Sequence, residues 1–197
     1  QMCIRDSARG VSQRVEDRRV TGETTCEFEL TLAPFGDGGW YWFDLISDEE
    51  GMVLDAASWL VPSHGRPVGR VTLGVTTFNR PDYCVNTIKT IAGADGFDEV
   101  LDELIIVDQG NKLVQDEPDF AEAQKAMGGK LRMIRQGNMG GSGGFARNMY
   151  EVVEGRQGPD GVEKSDYVLI LDDDVLLESE GVLRAAAFAD MCHTPSI

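Results

Sequence analysis

The stretch Tyr167-Val168-Leu169-Ile170-Leu171-Asp172-Asp173-Asp174 decides how this chain is read. Its five β-prone apolar residues have the pattern of a short buried strand. Three acids follow without interruption. Strand residues alternate in direction, so Asp172 and Asp174 are expected on one face and Asp173 on the other. Two carboxylates on one face repel unless a proton or a cation lies between them. Hard divalent cations prefer such oxygen ligands, and Mg²⁺ usually takes substrate phosphates as well. The pattern points to a metal held for a phosphorylated ligand.

Working outward, the region before this strand alternates strands with helices. Strands are expected at residues 71–78, 104–108 and 131–134. Pro81 opens a helix that carries Val85, Ile88 and Ala92 on one face. A second helix is expected at 120–127. A third, with the face Phe145, Met149, Val152 and Val153, follows the glycine run 140–144. Beyond the acids, Ser179 is placed to cap a helix bearing Val182, Leu183, Ala186 and Met191. Such alternation implies an α/β fold with a mostly parallel sheet. Ligands of such sheets bind at the carboxyl ends of the strands.

The first third is different. Cys26, Phe28, Leu30 and Leu32 alternate with polar residues and read as a half-buried strand. Gly36-Asp37-Gly38-Gly39 is a turn cluster, and Trp40 to Leu45 suits a strand covered on both sides. Residues 54–61 read as another strand. Together these form part of a small β module in which Trp40 and Trp42 pack in a core or stack on a sugar. Pro62-Ser63-His64-Gly65-Arg66-Pro67 reads as a linker. The expected organisation is a disordered or non-native head at 1–19, a β-module part at 20–66 and an α/β unit at 67–197. Residues 1–7 are unlike the rest of the chain and are left out of the fold. The chain is expected to be a fragment.

Bulk properties narrow the function. The 197 residues carry a formal net charge of -16, which argues against general nucleic-acid binding. Cys3, Cys26, Cys84 and Cys192 form no C-x-x-C pair, so neither a zinc site nor a disulfide framework is expected. They fit a reducing, cytoplasmic compartment. No apolar run is long enough to span a membrane. His64 and His193 have no partner in the pattern and read as incidental.

Four candidate segments follow the four strands of the alternating region. They are Thr76-Thr77-Phe78-Asn79-Arg80-Pro81, Asp108-Gln109-Gly110, Asn138-Met139-Gly140-Gly141-Ser142-Gly143-Gly144, and the acids. All should emerge on one sheet edge. The glycines would let backbone N–H groups approach an anion ahead of a helix. Asp108 could accept from a base imide or simply close a turn. Arg80 and Arg147 could pair with phosphate or lie on the surface. Gly141-x-Gly143-x-x-Ala146 fits a loose dinucleotide fingerprint, but it follows the third strand rather than the first. The absence of Gly-Lys-Ser/Thr excludes a P-loop.

With these residues in view, the chain resembles the family 2 glycosyltransferases of GT-A (Rossmann-like) fold. Within them it is most similar to the polymerising galactofuranosyltransferases of actinobacterial galactan synthesis. Thr77-Phe78-Asn79-Arg80-Pro81, Val107-Asp108-Gln109-Gly110, Gly140 to Phe145 with Arg147, and Asp172-Asp173-Asp174 resemble the donor-site segments of that family. Gly38 to Asp44 resembles its preceding β-sandwich.

The resemblance implies inverting transfer of galactofuranose from UDP-galactofuranose to a growing, lipid-linked galactan. It implies Mg²⁺ or Mn²⁺ on Asp172 and Asp174, and uridine held by Arg80 and Asp108. Thr77, Phe78, Gln109, Asn138, Gly140, Gly141, Gly144, Arg147, Asp172 and Asp173 would line the donor pocket. Residues 67–197 would be a truncated donor-binding half-domain. The general base is expected downstream of residue 197, so the fragment should be inactive alone. Peripheral association of the full-length enzyme with the cytoplasmic face of the plasma membrane is implied too, with homo-oligomerisation open. Another family 2 transferase such as a rhamnosyltransferase, an NAD(P)-dependent oxidoreductase, and a non-catalytic carbohydrate-binding protein are the competing assignments.

Overall fold

The computed structural model describes residues 1–192 apart from 8, 9, 37, 49, 63, 64, 66 and 160. Asp37 of the turn cluster, Ser63, His64 and Arg66 of the linker, and His193 lie outside the described residues. The chain divides into two compact units, Gln1–Pro62 and Ser63–Ile197. The expected boundary lay just after residue 66.

The first unit is built on a three-stranded antiparallel sheet. Its strands are β1 (Met2–Asp6), β2 (Gln13–Arg18) and β3 (Tyr41–Leu45), in the order β2-β1-β3. This corrects the disordered head expected over residues 1–19, because β1 is the central strand and buries Cys3, Ile4 and Asp6. The Arg5 Nε donates to Asp44 Oδ2 at 2.6 Å and ties β1 to β3. The alternating stretch 26–32 and residues 54–61 are not strands. Alternation yields a strand only where the segment pairs with a neighbouring edge, and neither stretch joins the outer edge that β2 or β3 leaves open. Side chains hold the 26–35 stretch instead. The Tyr41 hydroxyl donates to the Thr31 carbonyl at 2.7 Å, and Arg18 lies 4.7 Å over the Phe28 ring. Trp40 is 77% exposed and so is not a core residue.

The second unit begins with β4 (Val71–Thr77), α1 (Pro81–Ala92), the single turn α2 (Phe97–Val100) and β5 (Leu101–Asp108). It continues through α3 (Phe120–Met127), β6 (Leu131–Arg135), α4 (Gly140–Glu154) and a short hairpin of β7 (Arg156–Gly158) and β8 (Gly161–Glu163). It ends with β9 (Tyr167–Asp172) and α5 (Ser179–Met191). Four strands form one parallel sheet in the order β6-β5-β4-β9. The α/β class with a mostly parallel sheet is therefore present. Apolar runs place β4 and β5 at the centre, where Leu73, Val75, Leu104, Ile106 and Val107 are fully buried. Pro81 starts α1, its missing N–H costing nothing at that position. Val85, Ile88 and Ile91 turn inward from α1.

Three expectations change. β9 is an edge strand of the described sheet and is half-buried rather than buried. α4 packs through Gly144 and Asn148, not through Met149 and Val153, which are exposed. Ser179 is the first helical residue of α5 and makes no capping bond, the cap position being Glu178.

Strand order positions the site. The chain adds β5 and β6 to one side of β4, then returns to place β9 on the other. At this reversal neighbouring connections leave in opposite directions and open a crevice at the carboxyl ends. Register brings those ends level: Thr77 pairs with Asp108, Asp108 with Arg135, and Thr76 with Asp172.

Candidate functional site

The crevice is a cleft of about 370 Å³ lined by residues from every expected segment. Thr77, Phe78, Arg80, Gln109, Asn138, Gly140, Gly141, Asp172, Asp173 and Asp174 lie on its wall, joined by Thr76 and Phe145. A second hollow of about 560 Å³ shares Phe78, Gln109 and Asn138 with it. Its remaining lining is Gly110, Asn111, Arg135, Gln136 and Gly137.

β9 stops at Asp172, and Asp173 and Asp174 form a turn. Strand alternation therefore does not set the direction of Asp174, contrary to the sequence expectation. The outcome is similar: Asp172 and Asp174 are exposed and Asp173 is half-buried. The Thr77 hydroxyl donates to Asp173 Oδ2 at 2.7 Å. Arg80 Nη2 stands 4.0 Å from Asp174 Oδ2, and its guanidinium lies 4.4 Å over the Tyr83 ring. A long contact between half-exposed groups adds little stability, but it places a cation beside the acids. Beneath them, burial pushes the Cys84 thiol up to about 12, helped by Asp173 and Asp108 and opposed by a hydrogen bond with Thr77. Cys84 thus stays a neutral thiol at ordinary pH.

Side chains at the strand ends hold the rims. Asn79 is the one non-glycine residue with positive φ among the described residues (φ 59). Its Oδ1 accepts from the N–H groups of Asn111 and Lys112 at 2.7 and 2.9 Å. Asparagine tolerates this left-handed geometry, which was the available sequence signal. The Gln109 amide donates to the Gly140 carbonyl at 3.0 Å and accepts from the Met139 N–H at 2.8 Å. Asn138 Oδ1 accepts from the Gly140 N–H at 2.9 Å.

The glycine run is not a loop ahead of a helix; it is the first turn of α4, starting at Gly140 with φ +70. The cap residue Met139 offers no side-chain acceptor and Asn138 takes only the Gly140 N–H, so the other first-turn N–H groups and the positive end of the helix dipole are left at the cleft.

Three expected ligands lie off the wall. Asp108 is buried, and its two oxygens accept from the N–H groups of Gly110 and Val114, each at 2.9 Å. It closes the turn after β5. A Cβ on Gly144 would overlap the Thr76 side chain, so this glycine lets α4 approach β4 closely. Arg147 Nε donates to Glu151 Oε1 at 2.6 Å. Arg132 bridges the same Glu151 to Glu103, each contact at 2.8 Å, so Arg147 belongs to a network between α4 and the sheet.

Among the described residues, no group of three or more His, Cys, Asp and Glu side chains is disposed to hold a metal ion. Asp172 and Asp174 supply two open carboxylates. That donor set is not a cage, but it suits a hard cation that completes its shell with water and phosphate oxygens.

Comparison with known proteins decides the family. Residues 67–193 match the family model described as glycosyltransferase like family 2. This chain belongs to that family. The parallel four-stranded sheet of the chain accords with a GT-A domain. Residues 3–62 of the chain match a second model, described as galactofuranosyltransferase 2 N-terminal. The chain as a whole is also similar to curated proteins. It is 35% identical over 195 residues to the galactofuranosyltransferase GlfT2 of Mycolicibacterium smegmatis, covering 97% of this chain and 29% of the relative. It is 34% identical over 197 residues to the galactofuranosyltransferase GlfT2 of Mycobacterium tuberculosis, covering 98% of this chain and 30% of the relative. The chain thus spans under a third of the length of these curated relatives. Among its described residues, no helix is long and apolar enough to cross a membrane.

Proposed function

We propose that this chain binds the donor for an inverting, metal-dependent galactofuranosyltransferase, with UDP-galactofuranose as donor and a lipid-linked galactan as acceptor. The reading is supported above all by one observation: the strand-end cleft unites Asp172 and Asp174, Arg80 and the start of α4. Each is suited to a diphosphate. Asp172 and Asp174 would hold Mg²⁺ or Mn²⁺, which on binding would neutralise charge developing on the leaving diphosphate. Arg80 would offer a second positive group. The α4 terminus would offer N–H donors. Phe78, 47% exposed between the two hollows, gives a ring face for the base, with Asn111 and Arg135 as donors beyond it. Inversion requires an acceptor hydroxyl to attack the anomeric carbon opposite the departing UDP. The chain is assigned no general base for that step.

The dinucleotide alternative is disfavoured by geometry. Gly141, Gly143 and Ala146 lie within α4 after the third strand of the sheet, not in the turn after the first. Calorimetric titration with UDP, with and without Mn²⁺, tests the proposal. UDP binding that needs Mn²⁺ and disappears in Asp174→Ala is expected. Binding of NADH, or UDP binding indifferent to the metal, would overturn it.

A further inference from the structure

We propose that Thr77 is a positioning residue that tethers the middle acid, Asp173, and so leaves Asp172 and Asp174 directed into the cleft. The inference rests on reading the cleft as a metal-dependent diphosphate site. It starts from the end of β9 at Asp172. Past that residue no ladder bond dictates where a side chain points, and three adjacent carboxylates repel one another. Some contact must decide which of them turns away.

The hydroxyl of Thr77 makes that contact, at 2.7 Å from Asp173 Oδ2. Thr77 is well placed for the task. It is the last residue of β4, 2% exposed, and its neighbour Thr76 is in register with Asp172 across the β4–β9 pair. The donor therefore sits on the central scaffold rather than on a loop. A hydroxyl is also a neutral tether. A lysine or arginine in its place would hold Asp173 as well, but would compete for the acids that the cation needs. Cys84 beneath cannot supply a second charge, because its thiol remains protonated. Freed from Thr77, Asp173 would become a third mobile carboxylate at the mouth. Asp172 and Asp174 would then lose their fixed directions.

Two variants test this by calorimetry with UDP in the presence of Mn²⁺ and in the presence of a chelator. Thr77→Val keeps the shape and removes the donor. Its Mn²⁺-dependent UDP affinity should fall roughly tenfold, the scale of a hydrogen bond to a charged group. Any residual binding in the chelator, and the melting temperature, should change little. Thr77→Ser should restore the metal-dependent part. Unchanged Mn²⁺-dependent affinity in Thr77→Val, equal loss with and without metal, or failure of Thr77→Ser to rescue would overturn the proposal. If the parent chain itself shows no Mn²⁺-dependent UDP binding, the diphosphate reading fails first and the role of Thr77 falls with it.

Discussion

Replacing Gly144 with alanine should destabilise this chain, although alanine is the better helix former. Gly144 is the fifth residue of α4, so helix propensity alone favours Gly144→Ala by about 1 kcal/mol. The structure opposes this. The new Cβ would overlap Thr76 Cγ2 and lie 2.6 Å from its Oγ1 and 2.8 Å from its Cβ. Thr76 belongs to the central strand β4, which cannot yield without disturbing both neighbours. Rotating its side chain would break the 3.2 Å bond from Asn148 Nδ2. Moving α4 outward would separate Asn148 from the Val75 carbonyl. Overpacking of this kind costs about 1–3 kcal/mol. Overlap with Thr76 Cγ2 puts this site in the upper part of that range, about 2–3 kcal/mol, so after subtracting the propensity gain a net loss of about 1–2 kcal/mol remains, a melting shift of about 2–8 °C at this chain length. The contrast is Gly141→Ala, whose Cβ would meet Phe145 at an ordinary 3.8 Å. That variant should be neutral or slightly stabilised. Urea unfolding followed by circular dichroism compares the three proteins. A Gly144→Ala chain as stable as its parent would show that α4 does not sit this close to β4.

Other outcomes depend on where side chains are engaged. Arg147→Ala should leave UDP affinity unchanged, because Arg147 pairs with Glu151, whereas Arg80→Ala should weaken it roughly tenfold; titration calorimetry reads both. Asp108→Asn should lower stability by about 1–3 kcal/mol, since an amide group would face a backbone N–H that the carboxylate now satisfies. An Asp108→Asn chain with unaltered urea midpoint but lost uridine binding would return Asp108 to a ligand role. Burial raises the Glu103 carboxyl above its usual range, against the pull of Arg132. The folded state then keeps a proton that the unfolded state has lost. This contribution is present below about pH 4.3 and fades as pH rises through the folded value. The stability of the parent chain relative to Glu103→Gln should therefore fall in urea unfolding as pH rises above about 4. A relative gain over that rise would mean that the attraction of Arg132 outweighs burial.

Much of the second unit was legible because its signals are local. The runs at 71–78, 104–108 and 167–171 are apolar enough to be read as strands, although β5 starts three residues earlier than expected, and Pro81 marks a helix start by its chemistry. The convergence of the four segments followed from parallel topology, which puts all strand ends on one edge. What escaped depends on tertiary partners. Asn148 is polar and fully buried, so a search for apolar periodicity selected the wrong face of α4. Asp108 and Arg147 carry the chemistry of ligands, yet their engagement with Gly110, Val114 and Glu151 is visible only in three dimensions. In the first unit, residues 26–32 alternate well but are not paired into the sheet. Met2–Asp6 looked foreign and became the centre of the sheet.

The most direct test of the central claim is paramagnetic broadening by Mn²⁺ in the isotope-labelled chain saturated with UDP. Amides of Phe78, Asn138, Gly141 and Asp173, drawn from separate segments around the cleft, should broaden together. Val71 and Leu101, at the opposite strand ends about 20 Å away, should be far less affected. Broadening confined to the acids, or spread evenly over the surface, would contradict a shared metal-diphosphate site.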